Sequence, residues 1–450
     1  MIDKILIANR GEIALRIVRA CRELGIETVA VHSSADAEAM HVRLADASVC
    51  IGPPPASESY LNKLAIMAAA EISGADAIHP GYGFLAENAD FAQMVIEHGY
   101  SFIGPRPEHI RLMGDKIAAK EAMRGLGVPL VPGSDGPVLH EVMARESAEK
   151  IGYPVLIKAV SGGGGRGMTI ARNDNELIDG LALARREAKA GFGDDRVYLE
   201  KYLEQPRHIE VQILADEFGN CIHLGERDCT VQRRHQKLIE EAPSPVLEPE
   251  QRAAIGERCA EAIRRLGYRG VGTVEMLYEG GAFYFIEMNT RLQVEHPVTE
   301  AVTGIDLVKA QISVANEEPL PIAQNDVRFS GHAIECRVNA EDPRSLLPTP
   351  GAVQTYHPPG GPGVRVDSAL YAGAVVPPFY DSLIAKLITH DHTREACLAR
   401  AKRALGEYVI AGLPTNLPLL QAVIEQEAFA TGAYHTGWLT EFLLDWQARD

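Results

Sequence analysis

The sequence predicts an α/β protein. A doubly wound parallel-sheet domain comes first, a small subdomain built around a glycine loop follows, and a mixed α+β region closes the chain. Three observations carry that prediction. Strand-like and helix-like apolar patterns alternate through the first hundred residues. Five of the six positions 162–167 are glycine, between two short strand patterns. After about residue 330, short strands mix with Pro/Gly turns before a helical end. Strands separated by helices of this length imply parallel pairing, because a parallel neighbour needs a long crossover.

The elements follow in order. Residues 4–8 are an apolar run leading into Asn9-Arg10-Gly11; Ile13, Ile17, Ala20, Cys21 and Leu24 then repeat at helical spacing, and Gly25 stops the helix. Residues 28–32 read as a strand, 61–72 as a helix, 77–79 as a strand, 87–97 as a helix and 101–103 as a strand. The first turn holds one glycine where a dinucleotide fingerprint requires three, which argues against hydride chemistry. Residues 129–137 read as a linker, 155–158 and 168–171 as strands flanking the glycines, and 175–190 as a helix. Further strands are expected at 197–202, up to 216, and at 221–228, 270–278 and 282–289, with a helix at 297–315. The expected division is 1–112, 113–330 with a lid subdomain at about 131–203, and 331–446.

With 450 residues, 46% hydrophobic and 23% charged, the chain can bury large cores without a disulfide or metal staple. Sixty-one acidic against 44 basic residues give a formal charge of −17, which argues against a nucleic-acid or anionic-membrane binder. The seven cysteines show no C-x-x-C spacing and read as reduced thiols. Charges at Asp3, Lys4, Arg10 and Glu12 leave no apolar signal core, and no apolar run is long enough to span a membrane. A cytoplasmic location is expected.

Four segments carry chemistry. The glycine run beside Lys158 offers unobstructed backbone N–H groups and a point charge to a polyphosphate, or is a flexible hairpin tip. Glu275, Glu287 and Asn289 end two apolar strands; period two puts Glu287 and Asn289 on one face. A three-residue turn at 279–281 would bring Glu275 onto that face, whereas a two-residue Gly-Gly turn would put it on the other. On a shared face these groups would suit Mg²⁺ at nucleotide phosphates. Arg291, Gln293 and Glu295 could hold a small planar oxyanion and take its proton, or cap the helix after Pro297. His208, Glu210 and Gln212 share one strand face opposite Ile209, Val211 and Ile213. Nearby, Glu226–Cys229 leads to Gln232–Lys237, a local cationic segment too short for nucleic acid, and nothing lowers the pKa expected of Cys229.

Together these segments resemble the biotin carboxylase family of the ATP-grasp superfamily. The resemblance is carried by Ile7–Ala14, His79–Phe84, Met113–Lys116, Gly162–Met168, Glu226–Cys229, Gln232–Lys237, Phe285–Pro297, Gly331–Asp342 and Thr415-Asn416, in order along the chain. It implies an ATP-grasp fold and ATP-dependent carboxylation of biotin by bicarbonate through carboxyphosphate, as the first half-reaction of acetyl-CoA carboxylase. The same subunit of another acyl-CoA or pyruvate carboxylase, or a non-catalytic nucleotide-binding subunit, is the alternative. By the resemblance, Lys116, Lys158, Gly164, Gly165, Glu200, Lys201, Tyr202, Leu203, His208, Gln232, His235, Glu275 and Glu287 would bind ATP. Glu275, Glu287 and Asn289 would hold two Mg²⁺ or Mn²⁺ ions. Lys237, Arg291, Gln293, Val294, Glu295 and Arg337 would surround bicarbonate, with Glu295 as general base. Arg337, with Tyr82 nearby, would receive biotin. Val160, Ser161 and Thr169 depart from the family pattern beside the glycines. No Ala-Met-Lys-Met-type biotinyl segment occurs, so biotin would be free or, as the resemblance implies, arrive on a separate carrier protein; by the same resemblance carboxyltransferase subunits and a homodimer are the other expected partners.

Overall fold

The structure is a computed structural model that describes residues 1–160, 168–192, 194–233 and 236–447. The glycine run at 162–167, with Gly164 and Gly165, lies outside the described residues, as do Ser161 and His235. The chain forms two compact units. The larger holds residues 1–128, 207–277 and 286–450; the smaller holds 129–206 and 278–285.

The larger unit begins with the expected parallel sheet. Strands β1 (Lys4–Ile7), β2 (Glu27–Ser33), β3 (Ala47–Gly52), β4 (Ala77–His79) and β5 (Ser101–Phe102) pair in the order β3-β2-β1-β4-β5. Helices Gly11–Leu24, Lys63–Ser73 and Ala89–Glu97 make the crossovers. Gly25 ends the first in a left-handed conformation that costs glycine nothing (φ 72). Asn62 and Asn88 cap the other two, so the helix expected from residue 87 begins at Ala89. The sequence reading did not include β3. It is an edge strand with only Ile51 buried, and so lacks an apolar signature.

In the smaller unit, β6 (Val155–Ala159), β7 (Met168–Ala171) and β8 (Val197–Lys201) form an antiparallel sheet in the order β7-β6-β8. Val155, Ile157 and Leu199 pack against Leu177 and Leu181 of helix Asp174–Phe192.

The rest of the larger unit is organised by one long sheet. Its strands are β9 (Arg207–Ala215), β10 (Cys221–Arg233), β11 (Gln236–Ala242), β12 (Gly270–Glu279) and β13 (Ala282–Asn289). The chain then adds β14 (His332–Asn339), β15 (Gly351–Ala352), β16 (Thr355–His357), β17 (Val364–Ser368), β18 (Val375–Val376), β19 (Leu383–Asp391) and β20 (Val409–Ala411). The eight-stranded order is β13-β12-β9-β10-β11-β14-β19-β17; β15 pairs with β18 and β16 with β20. Alternation separates its faces. Ile334, Cys336 and Val338 of β14 and Ala385 and Leu387 of β19 join an apolar core with helices Arg394–Glu407, Leu417–Ile424 and Trp438–Gln447. Glu335, Arg337 and Lys386 point to the opposite face.

Two expectations are corrected. β10 runs on to Arg233 instead of stopping at 228, with register shifts on both sides of Arg227; such bulges re-aim side chains near functional sites. The helix expected over 297–315 is two, His296–Thr303 and Leu307–Ala315, broken where Gly304 turns left-handed (φ 72).

Candidate active site

Strands β9, β10, β11, β12 and β14 bring one charged cluster together inside the larger unit. His208, Glu210 and Gln212 form a polar row along β9, and this row is buried as deeply as Ile209, Val211 and Ile213 on the other face. Lys237 of β11 reaches Glu295 at 2.7 Å and Glu275 at 3.2 Å, and also bonds Glu210. Arg337 of β14 donates to the other oxygen of Glu295 at 2.8 Å and to Glu240 at 2.5 Å. Both oxygens of Glu295 are therefore held by fixed cations. Glu295 occupies the N-cap position of helix His296–Thr303, yet its side chain does not cap that helix. Gln293 donates to Glu275 at 2.8 Å, and His208 Nε2 lies 3.0 Å from the other Glu275 oxygen. Gln232 stands 3.1 Å from His208 Nδ1.

The proton affinities follow from this packing. Burial pushes the Glu295 carboxyl up, but Lys237, Arg337 and Arg227 outweigh it and hold the group well below the usual carboxylate range. Burial pulls Lys237 down, and Glu210, Glu295 and Glu275 more than reverse this. Burial raises Glu275, whereas Lys237 and His208 bring it below its ordinary value. His208 loses charge to burial and regains more from Glu275, so its pKa is raised. Glu240 behaves differently: burial dominates over Arg337, and its carboxyl is pushed up to about 7. The cluster thus holds carboxylates with very different proton affinities within a few ångströms.

At the end of the β12–β13 hairpin, the turn is the two-residue Gly280-Gly281, both at positive φ (59 and 84). In a regular ladder this turn sends Glu275 and Glu287 to opposite faces. Glu275 nonetheless accepts a 2.7 Å hydrogen bond from Asn289, so this contact, and not the turn, brings Glu275 and Asn289 together. Glu287 is partly exposed, 3.8 Å from the Lys116 ammonium. Arg291 donates to Glu87 at 2.8 Å and to Asn289 Oδ1 at 2.9 Å, linking the loop after β13 to the N-terminal sheet domain. The Tyr82 hydroxyl donates to Glu12, and its ring centroid lies 5.9 Å from the Lys386 ammonium.

In the smaller unit, Lys158 of β6 meets Glu200 of β8 at 2.7 Å. Lys201 donates to the carbonyls of Gly152 and Tyr153 at 2.9 and 3.0 Å, and Tyr202 and Leu203 follow half-buried.

Arg227, Glu210 and Glu240 are members of the cluster that sequence reasoning gave no role. Arg227 is fully buried and donates to Glu210, Gln212, Thr273, Gln293 and Thr299. The available signal was the unbroken Glu226-Arg227-Asp228 in the middle of a strand, where charge must be answered from within. Cys229 is fully buried, and burial and then Glu210 push its thiol well above the usual value, as an inert core thiol requires.

The long sheet carries carboxylates among fixed cations and the small unit bears Lys158 and Lys201, and the ATP-binding domain model that matches the chain makes it an ATP-grasp ligase. Family models extend this reading. The biotin carboxylase N-terminal domain matches residues 1–110, the ATP-binding domain of the carbamoyl-phosphate synthase L chain matches 115–323, and the biotin carboxylase C-terminal domain matches 335–441. A biotin carboxylase of Allochromatium vinosum is 59% identical over 98% of this chain and 99% of its own. A pyruvate carboxylase subunit of Methanothermobacter thermautotrophicus is 52% identical over 98% of this chain and 90% of its own. Among solved structures, the biotin carboxylase domain dimer of Hydrogenobacter thermophilus 2-oxoglutarate carboxylase, in complex with MgADP, ADP and bicarbonate, superposes with a TM-score of 0.88 at 49% identity, covering 98% of each chain. The chain belongs to the biotin carboxylase family.

Proposed function

We propose that this chain is the biotin carboxylase subunit of an acetyl-CoA carboxylase, which carboxylates biotin on a separate carrier protein using bicarbonate and ATP. The observation that carries the reading is the buried convergence of Lys237 and Arg337 on the two oxygens of Glu295. A bicarbonate ion brought among Lys237, Arg291, Gln293 and the Val294 backbone would draw these cations toward itself. Glu295 is ionised at neutral pH and gains proton affinity as its cations are shared, so it can accept the bicarbonate proton. The freed oxygen attacks the γ-phosphorus, giving carboxyphosphate and ADP. Carboxyphosphate releases CO₂ and phosphate, and phosphate takes the N1′ proton of biotin. Arg337, always charged, stabilises the resulting ureido oxyanion, with Tyr82 at the biotin side. Lys116, Lys158, the glycines 164–165 and His208 would hold phosphates and ribose; Glu200, Lys201, Tyr202 and Leu203 the adenine, with Gln232 and His235 nearby. Glu275 and Asn289, in contact, and Glu287 are hard oxygen donors that would hold two Mg²⁺ or Mn²⁺ ions, which when bound would neutralise phosphate charge.

A carboxyltransferase partner, a homodimer and a cytoplasmic location complete the reading. Among the described residues, no helix is long and apolar enough to cross a membrane. The similarity to a 2-oxoglutarate carboxylase domain and to a pyruvate carboxylase subunit favours a second reading, in which the same half-reaction serves a 2-oxoacid carboxylase. Carrier proteins of each type, offered as substrates, separate the two. The central test is bicarbonate-dependent ATP cleavage with Mg²⁺, with and without free biotin. Biotin-stimulated phosphate release is expected; its absence in folded protein sinks the reading. Arg337→Ala should lose biotin carboxylation at least about tenfold more than ATP affinity, and equal loss of both contradicts its role.

A further inference from the structure

The residue between Gln293 and Glu295 is held by a side chain that the proposed reaction leaves without a role. Lys386 of β19 is fully buried, and its ammonium donates to the Val294 carbonyl at 2.9 Å. Lys386 is the direct cross-strand partner of Arg337 in the β14–β19 ladder. Two neighbouring cations therefore grip successive residues of one loop, Arg337 the Glu295 carboxylate and Lys386 the Val294 backbone. On its other side Lys386 faces Glu12 at 3.1 Å and Asp367 at 3.9 Å, and Glu12 in turn accepts the Tyr82 hydroxyl.

We propose that Lys386 is a positioning residue for carboxylation: it fixes the Val294 peptide, so that Gln293 and Glu295 project together at bicarbonate, and through Glu12 it ties that loop to Tyr82. This rests on the bicarbonate role given to the 293–295 loop. A purely structural role would not require a charge here, since buried ion pairs are often replaced by apolar groups without loss of stability. An ammonium does what a methyl group cannot: it points a hydrogen bond at the Val294 carbonyl, while the flanking Gln293 and Glu295 carbonyls accept the backbone N–H groups of His296 and Val298. Burial opposes its charge, and Glu12, Glu335 and Asp367 restore it, so the grip persists at neutral pH.

The experiment compares Lys386→Met and Lys386→Gln with wild type in the full-length protein, measuring thermal stability, KM for ATP and KM for bicarbonate in the bicarbonate-dependent ATPase assay. Lys386→Met should raise KM for bicarbonate about tenfold or more, with KM for ATP within about twofold. Lys386→Gln keeps a donor and should recover part of the bicarbonate affinity. Should the Met variant fail to fold, the Gln variant decides alone: a bicarbonate-specific rise of about threefold is expected. An unchanged KM for bicarbonate in a folded variant, or equal rises for ATP and bicarbonate, overturns the positioning role. A wild-type protein without bicarbonate-dependent ATP cleavage instead overturns the functional reading itself.

Discussion

The charged groups of the central sheet and those of the small unit are built on opposite principles. On the sheet, Arg227, Glu210, Glu240 and Lys386 are all fully buried; surrounding charges keep Arg227 and Lys386 charged, whereas burial raises the Glu210 and Glu240 carboxyls. In the small unit, Lys158 retains 27% of its side-chain exposure and pairs with Glu200, while Lys201 donates to backbone carbonyls. Burying several charges costs several kcal/mol per ion unless the geometry is good. A site that must control where a proton sits and where an oxyanion forms gains from fixed, dry charges. A polyphosphate brings its own charge and needs only a cation within reach.

Substitutions on each side sharpen this contrast. Glu295→Gln keeps the shape of the cluster and removes the proposed base. Bicarbonate-dependent ATP cleavage should fall about 10²–10⁴-fold, with KM for ATP changed little; a fall below about tenfold would place the base elsewhere. Lys158→Met should act on binding: KM for ATP about tenfold higher, with kcat at saturating ATP nearly kept. A kcat loss as large as that of Glu295→Gln would erase the distinction between the regions. The smallest effect concerns stability. Burial raises the Glu241 carboxyl, but His332 and Arg394 outweigh this and bring it down to about 2. Its stabilising contribution is complete above the unfolded carboxylate value of about 4.3 and is lost as pH falls toward the folded value. Wild type should therefore lose more denaturant resistance between about pH 5 and pH 3 than Glu241→Gln does; parallel losses would show that the contribution is absent.

Much of this was legible in the sequence, for identifiable reasons. Apolar patterning announced β1, β2, β4 and, in the long sheet, β9, β10, β12 and β13; β11, β14, β17 and β19 were not placed individually. The edge strand β3 and the break at Gly304 were not announced: the first buries almost nothing, and a single glycine interrupts a helical pattern without altering its period. Glu295, Lys237 and Arg337 could be chosen by motif, and the structure brings all three into contact. Arg227 could not be assigned, because its partners at 210, 212, 273, 293 and 299 come from distant parts of the chain that meet only in the folded sheet. The Gly280-Gly281 turn shows the limit of register arguments. The turn alone implies opposite faces, yet Glu275 and Asn289 touch.

The pairing of β11 with β14 also bears on how this enzyme can be divided. Ile239 to Ala242 are matched to Cys336 back to Ala333, so the central strands and those beyond residue 330 form one continuous hydrogen-bonded surface. A fragment that stops at 330 would leave Ile239–Ala242 of β11 as an open edge, a template for pairing with any other chain. It would also lack Arg337 and Lys386, the two cations that grip the 293–295 loop. Fragments for biophysics or recombination should therefore be cut elsewhere.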